Sequence, residues 1–93
     1  MTQELVDNAA ASRFELRTEE GLIASAEYAA NDDTVAITRV FTRPTHRGQG
    51  LAAVITEFAV DSIAASGRKV VPVCSYALAW YQHHPERADT LAS

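Results

Sequence analysis

Two glycines one residue apart, Gly48 and Gly50, stand where a β-rich first half gives way to a helical second half, and they constrain the fold more than any other feature. The stretch around them reads Arg43-Pro44-Thr45-His46-Arg47-Gly48-Gln49-Gly50-Leu51-Ala52. Glycine serves where the backbone must turn left-handed or come close to a ligand, and a plain helix start does not need both residues. Free amides at a helix N-terminus, with the positive end of the helix dipole behind them, form a ready phosphate site. The pattern predicts a strand, a tight turn and a helix, with a phosphate compound at the turn.

Size and charge narrow the possibilities. With 93 residues the chain is expected to form one domain, near the lower end of what folds without staples. Its 47% hydrophobic and 22% charged residues suit a globular chain with a core. A formal charge of −4, a pI near 5.2 and scattered basic residues argue against a nucleic-acid surface. No apolar run approaches the roughly 20 residues of a membrane helix. The single cysteine, Cys74, and an opening segment without a basic or apolar leader pattern point to a reducing cytosol. A monomer and a homodimer are both compatible with so small a domain.

Along the chain, residues 1–12 are polar and alanine-rich without a period, and are expected to form a flexible arm ahead of a single domain at 13–93. Arg13-Phe14-Glu15-Leu16-Arg17 alternates as a half-buried strand does, and Thr18-Glu19-Glu20-Gly21 supplies a turn. A second strand covers Leu22 to Ala30, with Leu22, Ala24, Ala26 and Tyr28 as its expected core face. Asn31-Asp32-Asp33 closes a hairpin onto a third strand, Thr34 to Thr42, which Pro44 stops. From Gly50 the period is helical, with Leu51, Val54, Ile55, Phe58, Ala59 and Ile63 as the apolar stripe and Thr56, Glu57 and Asp61 opposite. Ser66-Gly67 ends that helix. Lys69 to Cys74 is a short apolar strand expected to pair parallel with the third, and Ser75 is the expected cap of a last helix, Tyr76 to His83. The fold class is therefore mixed α/β (α+β): an antiparallel three-stranded meander, then helix, parallel strand and helix.

Three phosphate motifs compete for the turn. Gly48-Gln49-Gly50-Leu51-Ala52-Ala53 satisfies G-x-G-x-x-A, but the acidic residue that a dinucleotide site needs about 20 positions later is missing. A nucleotide P-loop fails because no Gly-Lys-Ser or Gly-Lys-Thr follows. The third candidate fits. The run from Val40 to Ala52 resembles motif A of the GNAT-type N-acetyltransferases, R/Q-x-x-G-x-G/A, with Arg47, Gly50 and Ala52 in its fixed positions.

The resemblance implies a reduced GNAT-like fold and acetyl-CoA as cofactor. Arg47, Gly48, Gln49, Gly50, Leu51 and Ala52 would bind the pyrophosphate, and the backbone of Val40, Phe41 and Thr42 would pair with the pantetheine arm. Downstream, Cys74-Ser75-Tyr76-Ala77-Leu78-Ala79-Trp80-Tyr81 meets the family pattern N-x-x-A-x-x-x-Y with alanine and tyrosine in register and Cys74 in place of asparagine. Tyr81 is thereby the candidate acid for the departing thiolate. Pro72-Val73-Cys74 and His84-Pro85-Glu86 resemble the very small YjdJ-type branch, whose His-Thr pair on the third strand is matched here by Arg39 and Val40.

The implied activity is transfer of an acetyl group to a primary amine, of a small molecule or of a protein lysine or N-terminus. A CoA-binding module without catalysis is the alternative. Acetyl transfer needs a neutral amine, donors for the developing oxyanion and an acid for the thiolate. Cys74 is a candidate nucleophile or a small buried hydrophobe, and the nucleophile reading implies an acetyl-cysteine intermediate. Glu27, His46, His83 and His84 are open as bases. No set of residues has metal-ligand spacing, so no metal is expected.

Overall fold

The computed structural model describes residues 2–92. Strands β1 (Glu4–Asn8), β2 (Arg13–Thr18), β3 (Gly21–Ala30), β4 (Thr34–Thr42) and β5 (Lys69–Pro72) form one sheet in sequence order. Helix α1 (Leu51–Ala65) joins β4 to β5, and α2 (Ser75–Gln82) follows. The first four strands are antiparallel, and β5 runs parallel to β4, the geometry expected of a strand-helix-strand connection.

The meander thus has four strands rather than three, because the segment expected to be a loose arm supplies β1. Its own sequence carries little strand signal. Its partners hold it: β1 pairs with β2 from Glu4↔Arg17 to Asn8↔Arg13, Asn8 Nδ2 donates to Glu15 at 3.1 Å, and the Tyr28 hydroxyl donates to Asp7 at 2.7 Å.

One sheet face forms the core. Phe14, Leu16, Ala24, Ala26, Val35, Ile37 and Val70 are buried there with Leu51, Ile55, Ala59, Val60 and Ile63 of α1 and Ala77, Trp80 and Tyr81 of α2. Phe14 lies 4.8 Å from Tyr28 and edge-on to Phe58 at 5.8 Å, ring centre to ring centre, joining sheet to helix. Two expected faces are corrected. Thr56 is fully buried rather than on the polar side, and Val54 is exposed. Burial of Thr56 is tolerated because its hydroxyl donates back to the Ala52 carbonyl at 2.8 Å. On β3, Ile23 is buried and Leu22 only partly so, because a register shift at Leu16/Arg17 breaks strict alternation.

Two features of β4 place the site. A second register shift, opposite Glu27/Tyr28, inserts Thr38 into the strand. In addition, β4 and β5 pair only from Thr34↔Lys69 to Ile37↔Pro72; the Ile37 carbonyl then accepts from both Val73 and Cys74 amides, and β4 continues to Thr42 without β5. The parallel pair is therefore split along the last five residues of β4.

Candidate functional site

The split leaves main-chain groups without a neighbour. The Arg43 amide donates to the Ile23 carbonyl at 2.7 Å, so alternation along β4 turns the amides of Phe41 and Arg39 toward β3 and those of Val40 and Thr42 toward the gap. The gap leads to the glycine turn. A 3-10 turn at Pro44–His46 redirects the chain, and Gly48 and Gly50 take positive φ of 85° and 75°. Gly50 is the N-cap of α1, whose first backbone bond runs from Val54 to Gly50; the amides of Leu51, Ala52 and Ala53 have no helical acceptor. The space where a Cβ would stand on Gly48 or Gly50 is open to 4 Å, so a ligand can approach the main chain there.

Turn and gap share one cleft of about 360 Å³, lined by residues of β4, the turn, the first turn of α1 and the first turn of α2. Of the positions expected to hold the cofactor, Val40, Thr42, Arg47, Gly48, Gly50, Leu51 and Ala52 line it. Phe41 and Gln49 do not. Phe41 turns to the opposite sheet face, where the Arg39 guanidinium lies 5.7 Å from its ring centre. The cleft's remaining lining includes His46, Ala53 and Tyr76.

Cations gather at the turn end. Arg47 is exposed there, and the Arg43 guanidinium donates to the Glu20 carbonyl at 3.1 Å, which ties the β2–β3 turn to the loop before α1. His46 faces the Thr45 hydroxyl through Nδ1 at 2.9 Å, with Nε2 3.8 Å from the Glu20 carboxylate. Free amides, a helix N-terminus and Arg47 make this end suited to a pyrophosphate.

The two candidate catalytic residues lie elsewhere. Cys74, half-buried against the core, is the N-cap of α2 in the place expected for Ser75; its Sγ accepts from the Ala77 amide at 3.4 Å. Tyr81 is only 7% exposed, edge-on to Trp80 at 5.1 Å, and does not line the cleft. The Thr90 hydroxyl donates to the Arg87 carbonyl at 2.7 Å, so its 2.7 Å contact with the Tyr81 oxygen is one in which Tyr81 donates. Burial raises the Tyr81 pKa.

Among the proposed bases, His84 stacks on Trp80 at 4.2 Å and donates through Nδ1 to the Trp80 carbonyl, His83 ends α2, and His46 is at the turn. Glu27 stands beside the split on the open sheet face, 3.7 Å from Arg39. No group of three His, Cys, Asp or Glu residues among the described residues gathers as a metal site requires, and no described helix is long and apolar enough to cross a membrane.

Tyr76 escaped sequence reasoning because the tyrosine pattern pointed five residues further on. A signal was present: it follows Cys74 and Ser75 at the strand end where the gap opens.

A split parallel pair beside a glycine-rich helix start defines an α+β protein with one cleft running from free helix-start amides to an unpaired strand. The chain belongs to the GCN5-related N-acetyltransferase family, whose model matches residues 13–90. Members of that family typically use acetyl-CoA. No curated protein sequence matches the chain. Among solved structures it is similar to the ribosomal-protein-S18-alanine N-acetyltransferase from Escherichia coli, with a TM-score of 0.64 and 17% identity over 90% of this chain and 54% of that one. A GCN5-like protein from Staphylococcus aureus matches with a TM-score of 0.59 and 16% identity, over 97% of this chain and 88% of that one. The chain thus spans about half the length of the Escherichia coli enzyme.

Proposed function

We propose that the protein is an acetyl-CoA-dependent N-acetyltransferase acting on a primary amine. One observation carries this reading: a single cleft joins the free amides of the glycine turn to the outward-facing backbone of β4 at the split. In this reading Leu51, Ala52 and Ala53 amides, with Arg47, hold the pyrophosphate, and Val40 and Thr42 pair with the pantetheine arm. Bound acetyl-CoA supplies the activated acyl group. The residues of β4 orient it in the gap, and the acceptor amine reaches it from the face that carries Glu27 and Arg39, because α1 and α2 fill the other.

Cys74 acts as a helix cap in this reading, since its sulfur already accepts the Ala77 amide. The single cysteine of the sequence fits a reducing compartment, the cytosol. Placement in the YjdJ-like branch rests on Pro72-Val73-Cys74 and His84-Pro85-Glu86.

Two measurements test the reading. Titration calorimetry of acetyl-CoA against Gly50→Trp is expected to show affinity at least ~100-fold weaker, because an indole at positive φ both strains the cap and fills the cleft. Unchanged affinity in that variant overturns the assignment of the turn. Thiol release is then followed with a panel of small amines and N-terminal peptides. Release that depends on the amine supports the enzyme, and tight binding without release favours the CoA-binding module.

A further inference from the structure

We propose that Tyr76, not Tyr81, protonates the departing thiolate, an assignment that rests on the acetyltransferase reading above. Tyr76 lines the same cleft as Val40, Thr42 and the glycine turn, whereas Tyr81 lies outside it. It belongs to the first turn of α2, two residues after Cys74, whose amide binds the Ile37 carbonyl at the mouth of the split. A ligand with its phosphates at the turn and its arm along Thr42 and Val40 ends toward that mouth. The reacting end therefore meets α2 at Tyr76.

The geometry of the helix separates the two tyrosines. Five residues at about 100° each place them roughly 140° apart around α2, so they cannot serve one site. Their hydroxyls also differ in freedom. Tyr81 donates to Thr90 and is buried, while Tyr76 is 37% exposed and its hydroxyl has no hydrogen-bond partner among the described residues. Partial burial raises the Tyr76 pKa, which keeps the proton on the oxygen at neutral pH.

The step balances with groups already named. The amine nitrogen forms a bond to the carbonyl carbon, the C–S bond breaks with its electron pair on sulfur, and the sulfur takes the Tyr76 proton. The amine's surplus proton passes to water, and water reprotonates the tyrosinate, leaving an amide and CoA thiol.

The test pairs chemical modification with kinetics. Nitration by tetranitromethane, read by peptide mass, is expected to label Tyr76 in the free protein, with CoA slowing this at least ~10-fold, and to label buried Tyr81 slowly in both states. Tyr76→Phe is expected to lower kcat about 100-fold, the usual scale of general acid catalysis, and to leave acetyl-CoA affinity within about twofold. Tyr81→Phe is expected to lower thermal stability and to keep kcat within about threefold. Equal nitration of Tyr76 with and without bound CoA overturns the assignment, as does a Tyr76→Phe variant with wild-type kcat. A wild-type protein that fails to bind acetyl-CoA overturns the underlying transferase reading instead. Binding without amine-dependent release overturns the acid role and leaves the module.

Discussion

Glu15 is the most demanding residue in the sheet. It is 1% exposed, yet its carboxylate is fully engaged: Arg13 Nε donates to one oxygen, Arg17 donates to the other at 2.9 Å, and Asn8 adds a third bond at 3.1 Å. Burial pushes its pKa up, but the hydrogen bonds from Arg13, Asn8 and Arg17 outweigh this and hold the carboxyl below the ordinary range. A depressed folded-state pKa means that the stabilisation is present above the unfolded value, about 4.3, and is lost as pH falls through the folded one. Thermal melts are therefore expected to show the Tm of the wild type falling from about pH 4.5 downward, and Glu15→Gln to remove part of that dependence. At pH 7 Glu15→Ala is expected to cost about 2 kcal/mol, because the three donors lose a charged acceptor. Wild-type pH dependence in Glu15→Gln would show that other carboxyls carry the effect. None of this was legible in Arg13-Phe14-Glu15-Leu16-Arg17, which alternates like any strand with a solvated polar face. The face closes only because Asn8 and the two arginines converge on one carboxylate.

Among the elements, β1 shows where pattern reasoning stops. Its five residues have no decisive alternation, and Leu5 remains exposed. The strand exists through its neighbours, since β2 offers a free edge, Tyr28 reaches Asp7 and Asn8 reaches Glu15. The contact with Asp7 also marks Tyr28 itself: burial, then the hydrogen bond to Asp7, raises its pKa to about 12. Removing residues 1–8 is expected to destabilise the domain by about 2 kcal/mol and to lower Tm by roughly 10 °C in calorimetry. A truncated protein with the wild-type Tm would mean that β1 adds nothing to stability. By contrast, β4 and α1 were legible almost to the residue. Consecutive β-branched side chains, a proline stop and a change of period at Gly50 are local signals, and local signals are what a sequence carries plainly. The cap of α2 was misplaced by one residue for the opposite reason: Ser75 has the better capping side chain in isolation, but Cys74 is the last residue in extended backbone, at φ −80° and ψ 153°, and its sulfur accepts the Ala77 amide.

For the molecule as a whole, the proposed function rests on the parting of β4 and β5. Pairing over only four residues on β5 creates a gap inside a sheet, a place where amides are sheltered yet unpaired. Hydrogen exchange reads this directly. In the free protein the Val40 and Thr42 amides are expected to exchange faster than that of Phe41, which faces β3, and saturating acetyl-CoA is expected to slow both. Equal protection of all three amides in the free protein would show that the gap is closed in solution. The same parting explains why the site was partly legible. The turn's motif, Arg47 to Ala52, is contiguous in sequence, so its residues stay together in the cleft. The other end of the cleft draws on β4 and on α2, and which side chains of α2 meet β4 depends on helix rotation.

The sequence by itself determined the order of elements, the parallel strand and the position of the glycine turn, because each depends on backbone freedom or on side-chain period within a few residues. The tertiary structure decided which side chains share the cleft. It set Tyr81 against Thr90, set Tyr76 beside the gap, and turned Phe41 away from it. Those outcomes depend on how α2 rotates as it packs on the sheet and on where one extra residue enters β4, and neither is fixed by neighbours in the chain.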